Sequence, residues 1–111
     1  MKETMERFKK AITEVSMKKS DEMKKFSEFV NTVLKDGILD LKTKELIAVG
    51  IAVVLRCSYC IGIHVDKAFK AGATEDEILE AGMVSVLMGG GPAYTYLTDL
   101  VEAIKMVKEK I

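Results

Sequence analysis

Residues 45 to 64 read Glu45-Leu46-Ile47-Ala48-Val49-Gly50-Ile51-Ala52-Val53-Val54-Leu55-Arg56-Cys57-Ser58-Tyr59-Cys60-Ile61-Gly62-Ile63-His64. The first half is almost wholly apolar. The second half holds both cysteines and the only histidine of the chain. The apolar run Leu46 to Leu55 is ten residues long, about half of the ~20 that a bilayer-spanning helix needs. It reads instead as the body of a helix from about Leu41 to Leu55, with Asp40 as its N-cap. A helix that is apolar on all sides belongs at the centre of a fold or in a subunit interface. In a chain of 111 residues, burial against a partner subunit is expected.

Outward from this helix, nearly every segment has helical spacing, and the alternation and Asn-Gly turns of β structure are missing. Met1 to Met17 reads as a first helix, with Met5, Phe8, Ile12 and Val15 as its stripe. Ser20-Asp21 offers the cap of a second, whose apolar positions are Met23, Phe26, Phe29, Val30, Val33 and Leu34. Asp36-Gly37 is expected to stop it, with Gly37 left-handed. A fourth helix starts near Cys57 and ends at Ala71-Gly72. Thr74 to Glu77 has the spacing of a capping box and opens a fifth helix that runs to about Met88. Gly89-Gly90-Gly91-Pro92 lacks the Lys-Ser/Thr of a phosphate loop. It reads as a helix break, with Pro92 as the first residue of a sixth helix. The expected fold is a single all-α domain, residues 1–111, of about six helices.

Seventeen basic residues balance seventeen acidic ones, and aromatic residues make up 6%. Neither a basic footprint nor a stacking platform for nucleic acid is present. Met1 to Lys19 is amphipathic and densely charged, without the apolar centre of an export signal. The expected compartment is the cytoplasm, where a Cys-x-x-Cys pair points to redox chemistry or metal binding more than to a structural crosslink.

At about 100° per residue, Cys57, Cys60 and His64 share one narrow helix face. Cys60 and His64 are one turn apart, roughly 5–6 Å in rise. Cys57 or Ser58 can occupy the N-cap, so the thiols lie where unpaired backbone N–H groups and the helix dipole favour the thiolate. Arg56 adds a cation. In one straight helix Glu45 would be about 18 Å from Cys57. If the chain folds back near Arg56, Glu45 lands within about a turn of His64. That geometry favours a chain Cys60–His64–Glu45, a nucleophile, base and orienter.

These residues resemble the carboxymuconolactone decarboxylase superfamily, specifically its alkylhydroperoxidase D-like branch. The resemblance rests on Glu45, eleven residues, Cys57-Ser58-Tyr59-Cys60, three residues and His64. It extends through Leu39 to Ile47, Ala68 to Ile78 and Gly89 to Pro92. It implies an all-α fold and homo-oligomers, commonly trimers or hexamers. It also implies reduction of hydroperoxides or partner disulfides with no bound organic cofactor and an external thiol reductant. Carried over, Cys60 attacks, Cys57 resolves, and His64 and Glu45 move the proton. Better-known members of the branch carry a second histidine between the cysteines, where this chain has Tyr59. The decarboxylase members lack the cysteine pair, so lactone decarboxylation is not expected.

Three other readings compete. The thiols could be inert small hydrophobes. Cys57, Cys60, His64 and Glu45 could bind zinc, since all four are ligand types. The pair could instead be a redox sensor that alters assembly without turnover. A c-type haem requires histidine directly after the second cysteine, and Ile61 stands there.

Overall fold

The computed structural model describes residues 1–110. Six helices follow one another: α1 (Lys2–Lys18), α2 (Ser20–Leu34), α3 (Leu41–Val54), α4 (Ser58–Lys70), α5 (Glu75–Gly89) and α6 (Gly91–Glu109). The described residues contain no strand. The all-α expectation holds, and most boundaries fall within a residue or two of those read from the sequence.

The helix ends follow local chemistry. The Asp40 carboxylate accepts from the Thr43 amide at 2.8 Å and caps α3. Thr74 Oγ1 accepts from the Glu77 amide at 3.1 Å, and Glu77 Oε1 accepts from the Thr74 amide at 2.9 Å, which completes the capping box of α5. Two expectations need correction. Ser20 lies inside α2 as its first residue and makes no capping bond; Lys19 is the cap position. Gly37 is not left-handed, for α2 already stops at Leu34, with Lys35 extended. The connection is instead tied by side chains: Lys44 Nζ donates to the carbonyls of Val33 and Lys35, and Asp36 accepts from the Leu41 amide, each at 2.7 Å. Those bonds satisfy the orphan carbonyls of the helix end without a glycine.

Helices α3 to α6 surround the core. Val49 and Val53 of α3, Ile61 and Val65 of α4, Ile78 of α5 and Leu100 of α6 are fully buried. Gly82 lets α5 and α6 approach, because a Cβ there would lie 2.5 Å from Leu100 Cδ2. Between α3 and α5 the buried Ser85 hydroxyl donates to the Gly50 carbonyl at 2.7 Å. Helix α1 packs on α4 through Met5 and Phe8.

Helix α2 behaves differently. None of its residues is buried, and Phe26 and Phe29 are 62% and 64% exposed. Its apolar stripe has the expected helical spacing; Met23, Val30 and Leu34 are half-buried, while Phe26, Phe29 and Val33 face outward. The radius of gyration, 14.3 Å, exceeds the roughly 13 Å of a compact domain this long. A second uncovered surface lies on α3. Ile47, Ile51 and Val54 turn away from the core and, with Val84 and Met88 of α5, line an apolar groove of about 510 Å³. The all-round apolarity of α3 thus divides into a face buried in the chain and a face that is open.

The capping box also carries charge. Two bonds hold the Glu77 carboxyl below its ordinary value: first the Thr74 backbone amide, then the Lys42 ammonium at 2.9 Å. Lys42 is raised in turn, chiefly by its bond to Glu77. Replacing Thr74→Ala is expected to cost about 1 kcal/mol and to lower the thermal midpoint by roughly 4–8 °C in calorimetry. Because the folded-state value of Glu77 is lowered, its contribution is complete above the unfolded carboxylate range and vanishes as pH falls through the lowered value. Thermal midpoints of the native protein and Glu77→Gln are therefore expected to differ at neutral pH and to converge on acidification.

Candidate functional site

The turn between α3 and α4 builds the site. The Leu55, Arg56 and Cys57 amides donate to the carbonyls of Ile51, Val53 and Ala52 at 2.9, 3.0 and 3.1 Å. This six-to-one closure ends α3 in a Schellman arrangement with Arg56 in the left-handed position, φ 56°. Glycine usually stands there, since a Cβ makes the conformation unfavourable. Arg56 is exposed, so its guanidinium stays in water while its backbone reverses the chain. Helix α4 then runs back along α3, the fold-back that the Glu45 reading requires.

Cys57 is the N-cap of α4. Its Sγ accepts from the Cys60 amide at 3.2 Å, so one of the orphan N–H groups of the helix start points at sulfur. The Cys57 and Cys60 Cα atoms are 5.2 Å apart and their sulfurs are paired as a disulfide. Both residues are half-buried. Cys60 leans on the core, so the two thiols are not equivalent: one lies inward and the other at the helix mouth.

One turn further, Glu45 Oε1 lies 2.6 Å from His64 Nδ1. Glu45 is 1% exposed and His64 24%. A carboxylate has only acceptor sites, so Nδ1 must carry the proton in this bond. In the neutral imidazole Nε2 is then an acceptor. The bond fixes the tautomer and the ring orientation, as a second partner does for catalytic histidines elsewhere. Helical side chains lean toward the N-terminus, which for His64 is the direction of Cys60. Among the described residues no hydrogen bond joins His64 to Cys60. The two are brought together by register on one face, with Cys60 Sγ engaged by Cys57. Behind them Ile61 and Val65 are fully buried and keep water from the inner side.

The four residues expected at the site thus form two pairs, Cys57 with Cys60 and His64 with Glu45, set one helical turn apart along α4. Tyr59, in contrast, points outward: it is 41% exposed and its ring packs against Phe8 at a centroid distance of 5.9 Å. Cys57, Cys60, His64 and Glu45 do not converge on a single point, and no group of three His, Cys, Asp or Glu among the described residues has metal-site geometry. No helix among them is long and apolar enough to cross a membrane. One contact had no sequence signal at all. Ser58 Oγ, at the first helical position of α4, donates to the carboxylate of Asp99 on α6, 41 residues away.

Breaking the Glu45–His64 pair from one side leaves a polar group stranded. His64→Ala exposes the buried carboxylate to an apolar surrounding with no donor and is expected to lower stability by about 2 kcal/mol. The double replacement Glu45→Leu/His64→Ala should lose less than His64→Ala alone, a non-additivity that urea denaturation reads directly.

Comparison with known proteins agrees with this architecture. Residues 20–103 match the model of the carboxymuconolactone decarboxylase family. The chain is 44% identical over 71 residues to a protein of the cox locus of Paracoccus denitrificans, an alignment spanning 64% of each chain. It is 34% identical over 107 residues to a Haemophilus influenzae protein, spanning 96% of this chain and 95% of the other. A crystal structure of a carboxymuconolactone decarboxylase family protein from Legionella pneumophila superposes with a TM-score of 0.88 at 36% identity, over 93% of this chain and 92% of that one. One from Thermotoga maritima, suggested to take part in an antioxidative response, gives 0.82 at 28% identity, over 96% and 91%. With the family model covering most of its length, this chain belongs to the carboxymuconolactone decarboxylase family.

Proposed function

We propose that the protein is a thiol-dependent oxidoreductase that reduces hydroperoxides or the disulfides of partner molecules. The observation that carries this reading is the 2.6 Å bond between buried Glu45 and His64, one helical turn behind a closed Cys57–Cys60 pair. A buried carboxylate that orients an imidazole toward a thiol is the arrangement of an activated nucleophile. The antioxidative role suggested for the Thermotoga relative agrees with it.

In this mechanism His64 Nε2 takes the proton of Cys60, directly or through a water, and Glu45 stabilises the imidazolium that forms. With a hydroperoxide, the Cys60 thiolate attacks the outer oxygen. The S–O bond forms, the O–O bond breaks, and the alkoxide leaves with the proton held by His64. Cys57 then attacks the sulfenic acid; the S–S bond forms and water departs. With a disulfide substrate, Cys60 forms the mixed disulfide and Cys57 displaces it, releasing a dithiol. In both cases an external dithiol of the cytoplasm reduces Cys57–Cys60 and is itself oxidised.

The uncovered faces of α2 and of the α3–α5 groove are assigned to further copies of this chain, in a trimer or hexamer. The groove is lined by no charged residue, and α2 exposes Phe26, Phe29 and Val33. Apolar patches of this kind mark interfaces. Light scattering should give a mass above one chain, and Ile51→Lys, which places a charge in the groove, should shift it toward the monomer. A monomeric native protein would exclude the assignment.

Two measurements test the chemistry. Thiol titration before and after one equivalent of hydroperoxide should show two thiols lost together and both restored by a dithiol. Cys60→Ser should abolish turnover, and His64→Ala should slow it by about 10²–10⁴-fold. Full turnover in Cys60→Ser would sink the nucleophile assignment. Zinc retained stoichiometrically through dialysis would favour the metal-binding alternative. A disulfide-dependent change in size without turnover would favour the redox sensor.

A further inference from the structure

The first turn of α4 presents an asymmetry that the relay does not explain. Cys57 accepts the Cys60 amide at 3.2 Å at the helix N-terminus, an environment that favours thiolate. By that effect alone Cys57 would be the more acidic thiol. Yet the base, His64, stands behind Cys60. The residue between the two cysteines and nearest to Cys57 in the chain, Ser58, donates its hydroxyl proton to Asp99. Serine at the first helical position ordinarily bonds its own backbone or water; here a carboxylate from a different helix claims it.

We infer that Asp99 is a positioning residue for the thiol pair, which pins the first turn of α4 through Ser58 and places a negative charge beside Cys57 that keeps it a thiol while Cys60 is ionised. The inference rests on the proposed reading of Cys60 as nucleophile. It deepens that reading by giving the direction of attack a physical origin.

The other charges around this turn leave Asp99 free to act this way. Glu45 on α3 is taken by His64. Glu102 on α6 faces the α-amino group of Met1 at 3.9 Å. What α1 packs on α4 is apolar: Met1, Met5 and Phe8. The guanidinium of Arg56 is exposed and screened by water. Asp99 itself is half-buried, so its field at the neighbouring residue is screened less. Asp99 is held at the residue next to Cys57 in the chain, and a nearby like charge disfavours the ionised form of a titrating group.

The test uses the full chain with one cysteine left at a time and follows alkylation by iodoacetamide against pH. In Cys60→Ser, which reports Cys57, adding Asp99→Asn should lower the apparent thiol pKa by about one unit. Asparagine still accepts from Ser58, so the tether survives while the charge goes. In Cys57→Ser, which reports Cys60, the same change should move the value less, since Ser58, which holds the carboxylate, adjoins Cys57 and stands two residues from Cys60. No shift at Cys57, or equal shifts at both cysteines, would overturn the inference. If Asp99→Asn fails to fold, Ser58→Ala replaces it: with the carboxylate no longer held, the Cys57 value should again fall, and an unchanged value is equally fatal. Failure of the enzyme reading would show elsewhere, as turnover that survives Cys60→Ser, because alkylation measures ionisation and not catalysis.

Discussion

A carboxylate with 1% of its surface exposed must have a donor, or its burial costs several kcal/mol. Among the described residues Glu45 meets that requirement through His64 alone. The bond in turn requires α3 and α4 to run antiparallel at one register, because a shift of one residue along α4 would turn the imidazole by about 100° away from the carboxylate. The orientation of the imidazole and the register of the hairpin are therefore tied to one hydrogen bond. The rest of the core supports that register. Val49 and Val53 of α3 and Ile61 and Val65 of α4 are fully buried in the one core cluster.

The reversal between the two helices shows how local backbone and site chemistry share residues. The Schellman closure places Arg56 in a left-handed conformation, and the next residue is already the N-cap, Cys57. A sulfur at an N-cap is a weaker acceptor than the hydroxyl or carboxylate usually found there. The weaker cap places the Cys57 sulfur at the helix mouth, within reach of Cys60. Asp40 and Thr74, in contrast, cap α3 and α5 with oxygen.

The same small core explains the uncovered surfaces. Four helices use their apolar stripes chiefly on one another, which leaves α2 with slight packing on α1 and α3 and leaves the outer face of α3 open. The stripes of α2 and α3 were legible from spacing alone: Phe26, Phe29 and Val33 recur at helical intervals, and Ile47, Ile51 and Val54 continue the apolar run. Periodicity reports that a face is apolar. It does not report whether the chain itself supplies the surface that covers it.

The sequence alone determined the all-α class, the order of six helices, the capping box at Thr74 and the grouping of Cys57, Cys60 and His64, because these depend on residues within one or two turns of each other. With an antiparallel hairpin assumed, it also placed Glu45 near His64, since only one reversal separates them. The end of α2 escaped it: an Asp-Gly pair favours a turn, but long-range bonds from Lys44 satisfied the helix end earlier. The bond from Ser58 to Asp99 left no trace in the sequence either. An aspartate on a solvated helix edge reads as surface charge, and only the packing of α6 against α4 brings it to the first turn beside the thiols. Contacts between residues far apart in the chain are set by how helices pack, and that is decided by the core as a whole.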